Sequence, residues 1–494
     1  MTSRPLRTLA VPRSAHLPLL TAAALATALS LAGCASQGPA HQPLTTLGAA
    51  DVGLQDSQTD TRADATALNS SQWWTSLGDT QLNQLIDQAL AGSPSLAASN
   101  ARFEKAAALA TASSTATDIH GTLSADATRQ RYTANGMIPA PIAGNIYNSG
   151  NLQAGLSWSP DFFGKHGAEL QSALGQARAA KADSAAAANQ LAAQVARSYV
   201  TLARLLAQKV VAERTLAQRQ ALLNLSEQRT RAGLDSQVEL TQAQAAMPDA
   251  QTQIEMLNEQ ITLARRTIAV LCAQAPDAQN ALSPQLAALH IQPVPQTLGA
   301  DLLGRRPDVV AARWRVEAAT QGIESAKADF YPDVNLTAFI GLNALGLDNL
   351  LQGSSRQMGV TPALRLPIFD GKRLRAQLRG KQADLDTAIA QYNGAVLDAV
   401  KQAGDAIASV QSLQRQQQLQ AESLSKAERA YDFAVQRYQA GLGTQITVLN
   451  TETQLITQRR LAVDLQAREL DTRVALASAL GGGWKDDTTA LALR

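Results

Sequence analysis

Leu240, Met247, Ile254, Ile261 and Ile268 recur at strict seven-residue spacing, and Leu449, Ile456, Val463 and Leu470 repeat that spacing further on. Sustained heptads predict helices over 235–272 and 444–480 that pack as coiled coils. Narrow apolar stripes on otherwise polar, alanine-rich helices predict water on more than one side. Ahead of each lies an unbroken helical pattern, over 163–231 and 370–440, closed by Gly233 and Gly441. At 1.5 Å per residue each long helix would run about 100 Å. Two shorter helices, over 94–118 and 307–330, begin on prolines, where a missing N–H is harmless. A short helix and a return helix together roughly match a long one, which places them end to end beside it and predicts four columns per chain. Pro248 removes a backbone hydrogen bond from the first return helix and predicts a kink or a tolerated bend. Between short and long helices the period changes to two, over 121–131, then at Leu152, Ala154, Leu156 and Trp158, then over 334–342 and 358–366. Each pair reads as a hairpin with one apolar face, the first ended by Pro160.

The same plan is written twice. Pro94, Ala98, Arg102, Glu104 and Ala106 return as Pro307, Ala311, Arg315, Glu317 and Ala319 at an offset of 213. Pro160, Gly164 and Lys165 return as Pro367, Gly371 and Lys372 at 207, and Arg229, Ala232, Gly233, Leu234 and Gln237 return as Arg437, Ala440, Gly441, Leu442 and Gln445 at 208. The drop from 213 to 207 places a net deletion of six residues in the loop-bearing part of the second copy. The repeats divide the chain at 71–283 and 284–484, with a tail over 485–494.

The first residues read as an address. Arg4, Arg7 and Arg13 precede an uncharged stretch over 17–31, the basic and apolar regions of a secretory signal peptide spanning 1–33. The alternative, an uncleaved anchor, meets the difficulty that the apolar part is shorter than the ~20 residues of a spanning helix. Leu31-Ala32-Gly33-Cys34 resembles the lipobox of bacterial lipoproteins. That resemblance implies a covalent lipid on Cys34, diacylglycerol plus an N-acyl chain, and Ala35 behind it favours the outer membrane. Residues 34–70 show no hydrophobic periodicity and read as an extended tether. Cys272 is the other cysteine, so no disulfide framework is expected.

Residues that carry chemistry are sparse. Lys plus Arg is 43 against 41 for Asp plus Glu, and so balanced a charge leaves no footprint for nucleic acid. Aromatics are 4% and histidines number five. His120, His166 and His290 lack metal-ligand spacing, so no metal site is expected. No GxSxG, Walker or GxGxxG pattern occurs, and no nucleophile stands near a base, which argues against an envelope hydrolase. Trp73-Trp74 beside Leu77 reads as a packing anchor that ends the tether, and Gly481-Gly482-Gly483 as a helix stop. After the signal no segment holds ~18 consecutive apolar residues, so a membrane crossing would need β-strands closed into a barrel. Four strands are too few. Two chains would supply eight and three would supply twelve, and twelve leave more room for an aqueous lumen.

The lipobox, Ser71-Gln72-Trp73-Trp74, Arg305-Arg306-Pro307-Asp308-Val309, Leu366-Pro367-Ile368-Phe369-Asp370-Gly371 and Arg437-Tyr438-Gln439-Ala440-Gly441 together resemble the lipoprotein branch of the TolC-like outer-membrane efflux proteins. The resemblance implies a mainly α fold with a small membrane β-barrel. Each chain of a homotrimer would give four strands to a shared twelve-stranded barrel in outer-membrane lipid, and its helices to a long periplasmic α-helical barrel. It implies a duct without enzyme activity that exports drugs, solvents, metal ions or dyes. Its partners would be a periplasmic adaptor (membrane fusion) protein and an inner-membrane pump of the RND or a related type. Gly233-Leu234 and Gly441-Leu442 become periplasmic tips. Their glycines supply positive φ at helix C-termini, which needs no partner to explain it, and the leucines would pack against the adaptor. A gate would lie just above. Similar ducts often carry acids there, yet Glu239, six residues after Gly233, is matched by neutral Thr447, and Asn450 is neutral too. The expected gate is therefore a constriction held by packing and polar contacts, with Tyr438 meeting Glu239 across helices. The competing reading is a lipid-anchored coiled-coil spacer or adaptor without a pore, to which two hairpins at matching places in two repeats would be superfluous.

Overall fold

The computed structural model describes residues 37, 40–54, 72–289 and 302–485. The signal peptide, Cys34, Ser71 and His290 lie outside the described residues. The elements run α1 (Thr80–Gly92), α2 (Pro94–Ser114), β1 (His120–Arg131), β2 (Ile146–Trp158), α3 (Lys165–Arg231), α4 (Gln237–Leu271), α5 (Pro307–Ala328), β3 (Asp333–Leu345), β4 (Arg356–Arg365), α6 (Gly371–Gln439) and α7 (Gln445–Ala479). The chain is mainly helical with a small sheet, as its periodicities predict. The helix α1 lies outside the elements expected from periodicity, although Leu82, Leu85, Ile86 and Ala89 follow helical spacing behind Asp79. The Asp79 carboxylate caps that helix, accepting from Gln81 N at 2.8 Å and Leu82 N at 3.2 Å.

The chain forms two compact units that cut across the sequence repeat. One comprises 109–174 and 317–387 with the described residues up to 43. It contains a four-stranded antiparallel sheet in the order β1-β2-β3-β4, so β1 and β4 are its two edges. The register puts Leu123 opposite Ala154, Ala154 opposite Ile340 and Ile340 opposite Met358, one continuous row on one face. Close approach of β2 and β3 requires glycine at 341, because a Cβ there would meet the Leu152 carbonyl and come within 2.8 Å of Gln153 Cα. Where the strands leave for helices, Phe163 stacks on Tyr331 with centroids 5.1 Å apart, and Lys165 pairs with Asp329 at 2.9 Å.

The other unit comprises 44–108, 175–316 and 388–494, described to 485. Its core gathers Trp73, Trp74 and the buried face of α1 against Val195, Tyr199 and Leu202 of α3, Ile261 and Ile268 of α4, and Leu470 and Val474 of α7. Trp73 Nε1 donates to Asn189 Oδ1 at 3.1 Å, and Tyr199 Oη donates to Asp79 Oδ2 at 2.7 Å. Thus the cap of α1 also ties it to α3. The two return helices end against different neighbours. Just after α4, Cys272 Sγ lies 3.4 Å from the Leu85 carbonyl of α1, whereas at the end of α7 the Ala479 carbonyl accepts from Arg306 Nη1, immediately before α5, at 3.2 Å. The stretch expected to be an extended tether is docked over part of its length. Leu54 is buried with Leu302, Ala403 and Ala479, and Leu47 N donates to Asn393 Oδ1 at 2.8 Å. Single apolar residues seat this irregular segment, so it carries no period to read.

Both return helices use heptads, but not alike. In α4 the buried positions Ala243, Ala250 and Leu257 stand three residues after Leu240, Met247 and Ile254, the alternation of a coiled-coil seam. In α7 the buried seam is Gln445, Val448, Glu452 and Leu455, whereas Leu449 and Ile456 of the predicted stripe are half-buried. Pro248 sits inside an unbroken α4. Arg219 Nη1 of α3 donates to the Ala246 carbonyl at 2.9 Å, in the turn where the proline disturbs the hydrogen-bond ladder.

Candidate functional site

The two long helices end in the same way. Gly233 and Gly441 have φ of 74° and 75°. Leu234 N donates to the Arg229 carbonyl at 2.9 Å and Gly233 N to the Thr230 carbonyl at 3.0 Å. Leu442 N donates to the Arg437 carbonyl at 2.8 Å and Gly441 N to the Tyr438 carbonyl at 3.0 Å. These are paired Schellman motifs, whose left-handed residue is nearly free of penalty only for glycine. Leu234 and Leu442 follow with 66% and 70% of their surface exposed, which leaves each turn with an apolar tip.

Beyond the turns the copies diverge. Ser236 caps α4 in a capping box: its Oγ accepts from Val238 N at 3.1 Å, and its N donates to Glu239 Oε2 at 2.9 Å. The Ser236 hydroxyl also bonds Glu239, and these bonds hold the Glu239 carboxyl below its ordinary pKa. Thr447 occupies the same place in α7, where its hydroxyl lies 3.0 Å from that of Thr444. Asn450 is exposed one turn further along. The expected pairing of Tyr438 with Glu239 does not form, because Glu239 is committed to its own helix end. The Ser-x-x-Glu spacing was the available signal for this.

Tyr438 instead completes a buried cluster. Its hydroxyl donates to Asp235 Oδ2, while Arg229 donates to both Asp235 oxygens, from Nε at 2.9 Å and from Nη2 at 3.1 Å. Arg229 Nη1 donates to the Tyr438 carbonyl at 3.0 Å, and its guanidinium lies 4.6 Å over the Tyr438 ring. Arg229 thus bridges the end of α3, the loop into α4 and the end of α6. Its bond holds the Asp235 carboxyl below the ordinary carboxylate value, and burial, reinforced by Asp235, pushes the Tyr438 phenol up to about 12. The repeat supplies only half of this arrangement. Arg437 matches Arg229, but Gly443 stands where Asp235 would be and Thr230 where Tyr438 would be, so Arg437 Nη2 donates to the Leu442 carbonyl at 3.1 Å instead.

Next to the cluster, α7 presents Gln445, Glu452 and Arg459 at seven-residue spacing. Glu452 is 1% exposed and pairs with Arg219 at 3.2 Å through one oxygen, while the other oxygen and both amide atoms of Gln445 lack partners. Burial raises the Glu452 pKa against the opposing pull of Arg219. Arg459 reaches Gln218 of α3 at 3.1 Å and Glu428 of α6 at 3.5 Å. The α7 seam therefore mixes apolar Val448 and Leu455 with polar groups that are incompletely bonded, each unpaired buried atom carrying a desolvation cost.

The sheet offers two contrasting faces. Leu123, Leu156, Ile340, Met358, Val360 and Leu364 share one face and are exposed. The opposite face carries Thr122, Ser124 and Asp126 of β1, Asn151 and Gln153 of β2, and Gln357 and Thr361 of β4. There Gln357 Nε2 donates to Asn151 Oδ1 at 3.0 Å and to Gln153 Oε1 at 3.3 Å. Among the described residues no helix is long and apolar enough to cross a membrane. His120 stands on β1, His166 Nδ1 lies 3.3 Å from Glu169 Oε2, and no group of three metal-ligating side chains gathers among the described residues.

Comparison with known proteins places these features. The profile of the outer membrane efflux protein family matches the chain twice, over residues 85–274 and 298–482. The chain is 32% identical over 468 residues to the multidrug resistance outer membrane protein MdtQ of Escherichia coli, covering 92% of this chain and 96% of that one. It is 29% identical to the multidrug resistance outer membrane protein MdtP of Shigella flexneri, covering 94% and 97%. Among solved structures, the outer membrane protein VceC of Vibrio cholerae superposes with a TM-score of 0.79 at 35% identity, over 84% of this chain and all of the other. The outer-membrane channel OprN does so with a TM-score of 0.79 at 25% identity, over 91% and 100%.

Proposed function

This chain belongs to the outer membrane efflux protein family, and we propose that it is the passive exit duct of a tripartite efflux pump that expels drugs or other toxic small molecules. It is an outer-membrane protein with the TolC-like fold. The sheet carries the reading. One face is apolar and the other polar, as lipid outside and water inside require, and neither edge, β1 or β4, has a further strand partner among the described residues. Copies of the same chain would complete it, three of them giving a twelve-stranded barrel with a wet lumen. A homotrimer places the long helices around a common axis in the periplasm. Leu234 and Leu442 then form apolar tips for the helical hairpins of a periplasmic adaptor, which couples the duct to an inner-membrane pump of the RND type or a relative. The region of Glu239, Tyr438, Thr447 and Asn450 forms the gate, with the Arg229–Asp235–Tyr438 cluster as its lock. Cys34 carries the lipid that anchors the first residues in the membrane.

The test is electron imaging and native mass of the detergent-extracted protein, followed by single-channel recording in planar bilayers. Trimers with an elongated tube and a conductance that rises when the cluster is broken support the duct. Monomers without conductance would overturn it and favour the lipid-anchored spacer. Radiolabelled palmitate incorporated by the native chain and absent from Cys34→Ser checks the anchor.

A further inference from the structure

The apolar face of the sheet is not apolar along its whole length. Following the register from Leu123 through Ala125 and Ala127, the same face of β1 ends in Arg129 and Arg131, opposite Asn148 and Ile146. On β4 the row of Leu364, Pro362, Val360 and Met358 ends in Arg356, opposite Leu342. All three arginines are exposed and lie toward the hairpin loops, away from the helices. Arg131 Nε donates to the Gly144 carbonyl at 3.3 Å, and none of the ion pairs among the described residues includes Arg129, Arg131 or Arg356. Trp158 and Tyr331, with Phe163 stacked on Tyr331, mark the other end of the sheet, and the Tyr132–Tyr147 pair stands at the arginine end, so rings of the sort that mark a membrane–water interface occur at both ends of the band.

Charged side chains on a lipid-facing strand are costly near the bilayer midplane and become tolerable only at the interface. Three cations at one end of an apolar band therefore mark a headgroup level, and with no carboxylate beside them they call for an anion supplied by the lipid. We propose that Arg129, Arg131 and Arg356 form a binding rim for the phosphate groups of the lipid A moiety in the outer leaflet. This rests on the duct reading, which turns the hairpin loops outward. The edges strengthen it. If β4 of one copy pairs with β1 of the next, Arg356 of one chain and Arg129 and Arg131 of its neighbour fall on one side of the same seam.

The experiment titrates the full-length detergent-extracted protein with bisphosphorylated lipid A, fully dephosphorylated lipid A and phosphatidylglycerol, reading retention by native mass spectrometry. The triple variant Arg129→Gln/Arg131→Gln/Arg356→Gln should bind bisphosphorylated lipid A roughly a hundredfold more weakly, since each basic residue near a membrane surface adds a several-fold preference for anionic lipid. Arg365→Gln, which alters an arginine on the polar face, should bind like the native chain. The triple Arg→Lys variant should retain most of the binding and guards against misfolding, with circular dichroism as its control. Equal retention by native protein and Gln variant overturns the proposal, as does equal retention of phosphorylated and dephosphorylated lipid A. Equal preference for phosphatidylglycerol overturns the assignment to lipid A. Conductance is recorded on the same samples. Channels that persist while lipid A is lost support the rim alone, and lipid binding by a protein that never conducts points to failure of the duct reading.

Discussion

Glu452 shows how much one buried residue can shape α7. Its raised pKa means that the folded chain holds the proton more tightly than the unfolded chain. Its contribution to stability is then complete below the unfolded pKa and is lost as pH rises through the folded one. Glutamine keeps the shape and stays neutral. Apparent melting midpoints, followed by helical circular dichroism from about pH 4 to about pH 8, should fall more for the native chain than for Glu452→Gln as that pKa is crossed. Parallel curves would show that the buried carboxyl carries no such cost. Asp235 has the opposite sign, since the Arg229 bond lowers its pKa and its contribution is lost as pH falls through that lowered value. Removing its charge leaves Arg229, 12% exposed at the side chain, without its counter-ion and with only the Tyr438 carbonyl and ring as strong partners, and breaking a buried pair in this way costs about 3 kcal/mol. Asp235→Asn should therefore loosen α3 from α6 at the tips and raise the open probability in planar bilayers. An unchanged opening frequency would remove the cluster from the gate.

At the scale of elements, Trp73 tests whether the segment before α1 is a passive tether or part of the framework. It is 2% exposed, packs on Trp74 edge to face at 5.9 Å and bonds Asn189 of α3. Trp73→Ala should cost about 3–5 kcal/mol and show as a lower midpoint in the same melts, whereas a tether residue would leave it unmoved. The sequence makes this anchor visible, together with every long helix, both hairpins and the repeat, because heptads, alternation and duplicated motifs are local records of period. It does not make visible the contacts of the Arg229–Asp235–Tyr438 cluster. Tyr438 is named by the sequence but with the wrong partner: Asp235 breaks the repeat, so matching the copies points away from it, and Glu239 draws attention by its charge while serving its own helix end. The α7 seam hides for a related reason. The apolar heptad Leu449, Ile456 and Val463 is the one a reader sees, whereas the most buried face includes Gln445 and Glu452, whose polarity disguises their burial.

For the whole molecule the question is how many chains close the barrel. Strand count in one chain states a deficit but not the number that fills it, since eight and twelve both remove the edges. The polar face favours the larger number. Gln357 already bonds both Asn151 and Gln153 across strands, and an eight-stranded interior is about filled by its side chains, whereas a conducting duct must stay wet. Cysteine pairs across the proposed seam decide between them. With Ser124→Cys on β1 and cysteine stepped along β4 at Gln357, Thr361 and Ala363, all on the polar face, one register should bring Cβ atoms to the 3.5–4.5 Å that a disulfide needs. Cys272 should stay silent, since it is buried and burial pushes its thiol up to about 11. Oxidised samples on a denaturing gel should then show a ladder that ends at three chains for one pair and vanishes with reductant. A ladder ending at two would mean an eight-stranded barrel, and cross-linking at none of the pairs would mean that β1 and β4 never meet, so that the sheet serves something other than a shared pore.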